Sequence, residues 1–307
     1  MLEQLKSKNT ADLLLYLFTN GFATKADMVR GTALGNSTVS DAINELGEME
    51  LVRAVDKEDS IGGRRAIIYE LNKSYGCFVG IACKSNGMEF VITDCQNNIL
   101  KFWFVPSDRE SSAISVLFRE LRQIFDDEKN VLGIGVGLHG DINYNAQTVI
   151  CCDDLNWQHV PLKEVIEREF FTFTLIDHYS NGAARKERFL GMCKDVDNFI
   201  YYTNLAPQKM SIIIDGHICR GKNNMAGNIG SIDNFNADVI SYLTELRESV
   251  AVEKIIFSTD EPLPEITRQN LKDVIFIKSN EFDLSLGMAA SVEMQWFNHI
   301  PGRKGTR

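Results

Sequence analysis

Apolar residues recur at helical spacing from Thr10 to Phe18, where Leu13, Leu14, Leu17 and Phe18 share one face, and Gly21 stops the segment. Thr24 is placed to cap a second short helix holding Ala26, Met28 and Val29, and a turn follows from Gly31 to Gly35. A third helix opens at Asn36 or Ser37, either of which can cap it, and carries an inward stripe of Val39, Ala42, Ile43 and Leu46. Leu51-Val52-Arg53-Ala54-Val55 and Ala66-Ile67-Ile68-Tyr69-Glu70-Leu71 then alternate as the two strands of a hairpin whose charged tip ends in Ile61-Gly62-Gly63-Arg64-Arg65.

Beyond residue 73 the period changes. Strand-like runs at Cys77 to Ala82, Met88 to Thr93 and Ile99 to Val105 are separated by Ser85-Asn86-Gly87 and Gln96-Asn97-Asn98. An amphipathic helix from Ser111 to Phe125 leads to the strand Val131 to Val136. Three meandering strands, a helix and a further strand describe a ribonuclease-H-like lobe. Later segments give a helix from Ala237 to Arg247, strands at Lys254 to Phe257 and Val274 to Lys278, and a last helix from Leu284 to Phe297.

These elements divide the chain into a winged helix-turn-helix of α+β class at 1–73 and a two-lobed α/β body at 74–307. The first lobe runs over about 74–176, the second over about 177–283, and the helix 284–297 returns to pack. The third helix leaves Thr38, Ser40, Asp41 and Asn44 facing outward, with Asn36 and Ser37 at its N-terminus. Short hydroxyl and amide side chains at a helix N-terminus meet base edges and phosphates, while Gly63 lets a thin hairpin tip carry Arg64 and Arg65 towards a minor groove. With Lys25 these residues form the expected contact set for double-stranded DNA. The alternative is that three helices pack for structural reasons and the arginines solvate a loop.

Composition qualifies the picture. The 307 residues are 44% hydrophobic, enough for two or three packed domains. The chain carries a net charge of −10, yet residues 1–73 account for only −2, with nine Lys and Arg against eleven Asp and Glu. Phosphate neutralisation depends on local placement, so DNA binding is expected to weaken readily with salt. No apolar run reaches eighteen residues and the first segment lacks a signal-peptide core, which points to a cytoplasmic protein without membrane partners. The seven cysteines form no Cys-x-x-Cys pair or finger spacing and read as reduced thiols.

The hairpin tip, Gly133-Ile134-Gly135-Val136-Gly137-Leu138-His139-Gly140, Leu155-Asn156-Trp157 with Val160-Pro161-Leu162, and Asp215-Gly216 leading to Gly221 and Ala226-Gly227-Asn228-Ile229-Gly230 together resemble the ROK family of bacterial repressors and sugar kinases. The resemblance covers about 8–232. It implies the actin-like ATPase and sugar-kinase fold, here with a shortened second lobe, and control of carbohydrate genes, most often by repression.

Departures from the family pattern remove its chemistry. The first phosphate loop, usually Asp-x-Gly-Gly-Thr, stands as Ala82-Cys83-Lys84-Ser85-Asn86, without the glycines that admit phosphate or the magnesium-associated carboxylate. The second, usually glycine-rich, stands as Leu205-Ala206-Pro207-Gln208-Lys209-Met210-Ser211. The catalytic Asn-Asp-Ala-Asn stands as His178-Tyr179-Ser180-Asn181, with a phenol in place of the general base and Asp177 two residues too early. The sugar and zinc motif Gly-Glu-x-Gly-His stands as Gly227-Asn228-Ile229-Gly230-Ser231, and no cysteine follows Cys219 to build a zinc loop.

The sequence thus predicts no enzyme, no catalytic residue, no cofactor and no metal. What remains of the cleft is a candidate effector pocket of His139, Asn156, Tyr179, Asn181, Asn228 and Ser231 for a sugar or sugar phosphate. The expected assembly is a homodimer or dimer of dimers, since paired operator half-sites require a two-fold axis. Two rivals stand beside this reading: a regulator whose body serves only for dimerisation or protein interaction, and an active sugar kinase. Among single residues, Trp157 reads as lobe packing before sugar stacking. Phe102-Trp103-Phe104 reads as core on one face and interface on the other, and Arg185 to Arg188 as a solvated face.

Overall fold

The computed structural model describes residues 2–55, 66–107, 111–204, 209–227, 229, 239–259, 274–280 and 282–300. Three helices come first: α1 (Leu2–Asn20), α2 (Lys25–Thr32) and α3 (Asn36–Glu48). Thr24 caps α2 in a reciprocal box, its Oγ1 accepting the Asp27 N–H at 3.2 Å while Asp27 Oδ2 accepts the Thr24 N–H at 2.9 Å. The start of α3 differs from expectation. Gly35 (φ −71°, ψ 154°) occupies the cap with no side-chain bond, so neither Asn36 nor Ser37 spends its side chain on the helix. The stripe Val39, Ala42, Ile43 and Leu46 is buried as its spacing predicts.

Strands β2 (Val52–Val55) and β3 (Ile68–Leu71) pair antiparallel. A strand invisible to the sequence reading, β1 (Phe22–Thr24), adds to the other edge of β3. The hairpin tip with Gly63, Arg64 and Arg65 lies outside the described residues.

In the body, β4 (Cys77–Lys84), β5 (Gly87–Asp94) and β6 (Ile99–Pro106) meander antiparallel, and β7 (Val131–Leu138) and β11 (Phe173–His178) continue the sheet in parallel, giving the order β11-β7-β4-β5-β6. A small sheet of β8 (Asp141–Asn143), β9 (Thr148–Cys152) and β10 (Trp157–Val160) flanks it. After α6 (Tyr179–Phe189), a second five-stranded sheet repeats the topology. It contains β12 (Phe199–Thr203), β13 (Lys209–Ile214), β14 (His217–Ile218), β15 (Lys254–Thr259) and β16 (Val274–Lys278), in the order β14-β13-β12-β15-β16. Helices α4 (Ala113–Asp127) and α5 (Leu162–Phe170) precede α6, and α7 (Val239–Val250) lies in the second lobe.

The last helix, α8 (Asp283–Trp296), packs on β4 and β7 and against α6. Gly80 of β4 and the alternating glycines of β7 make this possible. A Cβ on Gly80 would collide with the Ser285 carbonyl oxygen, and one on Gly135 with that of Met288, so the helix backbone rests directly on the sheet. The three-helix head is not held by a bare linker. Phe18 meets Phe297 edge-on with ring centroids 5.9 Å apart, Lys194 Nζ donates to the Thr19 carbonyl at 2.9 Å, and the buried side chains of α1 run on into those of α8 as one core.

Candidate nucleic-acid interface and interlobe site

On α3, the face opposite the buried stripe exposes Asn36, Ser37, Asp41 and Asn44 to solvent, with Thr38 and Ser40 half-buried. Lys25, the first residue of α2, reaches across to Ser40 Oγ at 3.2 Å and Asn44 Oδ1 at 3.3 Å, and its ammonium lies 5.6 Å from the Tyr69 ring centroid. The structure therefore brings together six of the residues expected to touch DNA: Lys25, Asn36, Ser37, Thr38, Ser40 and Asn44. Because the cap is a glycine, the first turn of α3 keeps its backbone N–H groups outward, a local positive potential that suits an anion.

The described members of the expected effector pocket, His139, Asn156, Tyr179 and Asn181, sit in different surroundings. Tyr179 is buried in the second-lobe core beside Ala183 and Phe199, and burial above all, with Asp154 nearby, drives its phenol far above the ordinary value. Asn181 is buried and committed: its Nδ2 donates to Asp177 Oδ1 at 2.8 Å and its Oδ1 accepts from Ser211 Oγ at 2.7 Å. Asn156 (φ 54°) is exposed and lines a cavity of about 380 Å³ with Lys84, Ser112 and Trp157, away from α6. His139 is half-buried at the end of β7, its carbonyl accepting from Cys152 Sγ. Asn228 and Ser231 lie outside the described residues. Trp157, only 4% exposed, packs with the first-lobe core.

At the first kinase-like loop, β4 and β5 pair without a break from Cys77 with Asp94 to Lys84 with Gly87, so Ser85-Asn86 is a tight turn and Lys84 folds back onto Glu89. The second loop, apart from Lys209 to Ser211 on β13, lies outside the described residues.

Asp177 forms a centre that the sequence reading set aside. The penultimate residue of β11, it has no exposed surface and accepts from the His178 N–H at 2.8 Å, from Arg185 Nη2 at 2.9 Å, and from Arg220 Nη1 and Nη2 at 3.1 and 3.0 Å. Burial alone raises such a carboxyl, but Arg185 and Arg220 outweigh it and hold Asp177 well below the usual carboxylate range. Arg220 follows β14, so the cluster ties the first lobe to the second. Arg185 and Lys186, expected on a solvated face, instead point inward; Lys186 Nζ bonds Asp283 Oδ1 at 2.9 Å at the start of α8. An acidic residue near the end of an apolar strand was the available signal, since a buried charge requires a partner.

This is a duplicated actin-like body preceded by a three-helix unit and a hairpin. The ROK family profile matches residues 79–238, just over half of the sequence, and the protein belongs to the ROK family. It is 28% identical over 245 residues to a putative xylose repressor of Caldicellulosiruptor sp. strain Rt8B.4, a match covering 77% of this chain and 61% of that relative. The chain thus spans about three fifths of the length of the curated relatives it matches. Among solved structures it is similar to a ROK family transcriptional regulator, a homologue of E. coli MLC, with TM-score 0.73 at 14% identity over 96% of this chain and 97% of that one. It also resembles a ROK family glucokinase from Streptomyces griseus solved with glucose and AMPPNP, with TM-score 0.60 at 14% identity over 71% and 99%.

Proposed function

We propose that the protein is a DNA-binding transcriptional regulator, a repressor of carbohydrate-related genes, whose sugar-kinase-like body performs no phosphoryl transfer. Residues 1–73 act as a winged helix-turn-helix, with α3 in the major groove and Gly63, Arg64 and Arg65 at the tip of the wing. The observation that carries this reading is the uncapped, exposed polar face of α3 above a fully apolar inner stripe. Repressors among the relatives support it. Such a role is cytoplasmic, and no helix among the described residues is long and apolar enough to cross a membrane. A homodimer presenting two α3 helices would read paired half-sites about 10 bp apart.

The body's inactivity follows from chemistry at α6. A buried phenol with a raised pKa cannot take a proton from a sugar hydroxyl at neutral pH, and Asp177 is a weak base because two guanidiniums hold it ionised. The burial of Tyr179 and Asn181 favours a second reading, in which the body only dimerises or binds protein and senses no sugar. Thermal-shift measurements with sugars and sugar phosphates separate the two, since a ligand at a hundred times its dissociation constant adds about 2.7 kcal/mol. The DNA reading is tested by selecting duplexes from genomic fragments with the full chain. Enrichment of inverted repeats is expected; recovery of no sequence above background would remove it.

A further inference from the structure

A cavity of about 310 Å³ opens between the β8–β9 hairpin of the first lobe and the turn after β14, with Asn143, Tyr144 and Asn145 on one wall and Arg220, Gly221 and Asn224 on the other. None of the described residues lining it is acidic. None of the described residues of the kinase-like phosphate loops or of the sugar-motif positions is among those that line it.

Three observations bear on what it holds. Arg185 and Arg220 carry permanent charge and share one carboxylate, Asp177, so this trio keeps one positive charge in excess at the cavity's edge. A buried hydrogen-bond donor in its wall also lacks an acceptor. Asn224 is only 5% exposed; its Oδ1 accepts from Arg220 Nη1 at 2.8 Å, while its Nδ2 has no partner among the described residues. Buried donors without acceptors are costly, and an incoming acceptor relieves the cost. Finally, the Arg220 guanidinium is fixed in place, lying 3.2 Å from the Tyr144 ring centroid, so little side-chain freedom would be lost on binding. At the mouth, Asn143 gives its Oδ1 to the Ala146 N–H at 3.1 Å, which leaves its amide NH2 group to donate.

We infer that this cavity is a seat for a small oxyanion, a phosphate or carboxylate group of a metabolite, held by Arg220 and the asparagine amides across the lobe junction. The inference deepens the proposed regulatory reading, on which it rests only in treating the bound anion as an effector. An anion there touches both lobes, so its binding is linked to their relative placement.

Calorimetric titration of the full chain with inorganic phosphate, against chloride at equal ionic strength, tests the seat directly. Saturable phosphate binding is expected, weakened about ten-fold or more by Asn145→Glu, which puts a like charge at an exposed rim position outside the Asp177 cluster. Arg220→Lys keeps the charge but loses the fork and is expected to weaken binding as well. Separate arms with a hexose 6-phosphate, gluconate and the unmodified hexose identify the source: stronger binding of either anion than of the hexose supports the seat and names its group. Absence of phosphate heat beyond the chloride control, unchanged affinity in Asn145→Glu, or a hexose binding as well as its phosphate would overturn it. Duplex selection has no part in this readout, so the anion seat and the DNA reading fail independently.

Discussion

Two helices of this protein open on short polar runs, and the chain treats them in opposite ways. Asn36-Ser37-Thr38 begins α3 behind a glycine cap and stays at the surface, whereas Tyr179-Ser180-Asn181 begins α6 and is buried, each polar atom of Asn181 bound to another side chain. The difference lies in what surrounds each start. α3 has apolar neighbours on one side only, while α6 stands between two sheets and beneath α8. A polar helix start left open is a surface for recognition. The same kind of start, enclosed, becomes part of the joint between lobes.

Breaking the enclosed joint should have the largest effect. Asp177→Ala leaves two guanidiniums without their shared carboxylate and is expected to destabilise the body by about 3–5 kcal/mol in urea unfolding. Folded Asp177 titrates below its unfolded value of about 3.9, so its contribution is complete above that pH and is lost as pH falls towards the folded value. Wild-type stability should therefore drop below about pH 4 more steeply than that of Asp177→Asn.

That joint was the least legible part of the sequence. The stripe Val39, Ala42, Ile43 and Leu46 could be read because its period is local, and β4 to β7, β15 and β16 because their apolar runs are, whereas β11 to β14 went unread as strands. Asp177 and Arg220 lie 43 residues apart, and nothing local marks Arg185 as facing inward. β1 is three residues long and is a strand only through its pairing with β3. The glycine alternation in β7 announced a strand, but its cause, a helix backbone lying on the sheet, belongs to α8 more than a hundred residues later. At Gly35, the preference for Asn or Ser caps lost to a glycine already in an extended conformation.

A second enclosed polar group sharpens the contrast. Glu293 on α8 is fully buried, neither carboxyl oxygen has a partner among the described residues, and burial, then Asp94, raises its pKa well above the ordinary value. A carboxyl raised on folding favours the folded state at low pH and costs stability as pH climbs past its unfolded value of about 4.3. Glu293→Met is expected to stabilise the protein at pH 7 by about 1–3 kcal/mol and to flatten that slope; greater stability of the wild type at neutral pH would mean that the carboxylate is structurally required. In the head the expected effects are smaller. Thr24→Ala removes the α2 capping box at a cost of about 1 kcal/mol, readable as a lower unfolding midpoint. For catalysis the expected value is zero: a coupled assay with ATP and a panel of hexoses should show no turnover.

Fluorescence anisotropy on the selected duplex, comparing the full wild-type chain with Ser37→Ala/Asn44→Ala, tests most directly whether the open face of α3 reads DNA. Both side chains are exposed, so the fold should survive, and the variant is expected to bind about ten-fold or more weakly, in line with about 1–3 kcal/mol for each base-reading contact. Equal affinity of the two proteins for that duplex would contradict the account.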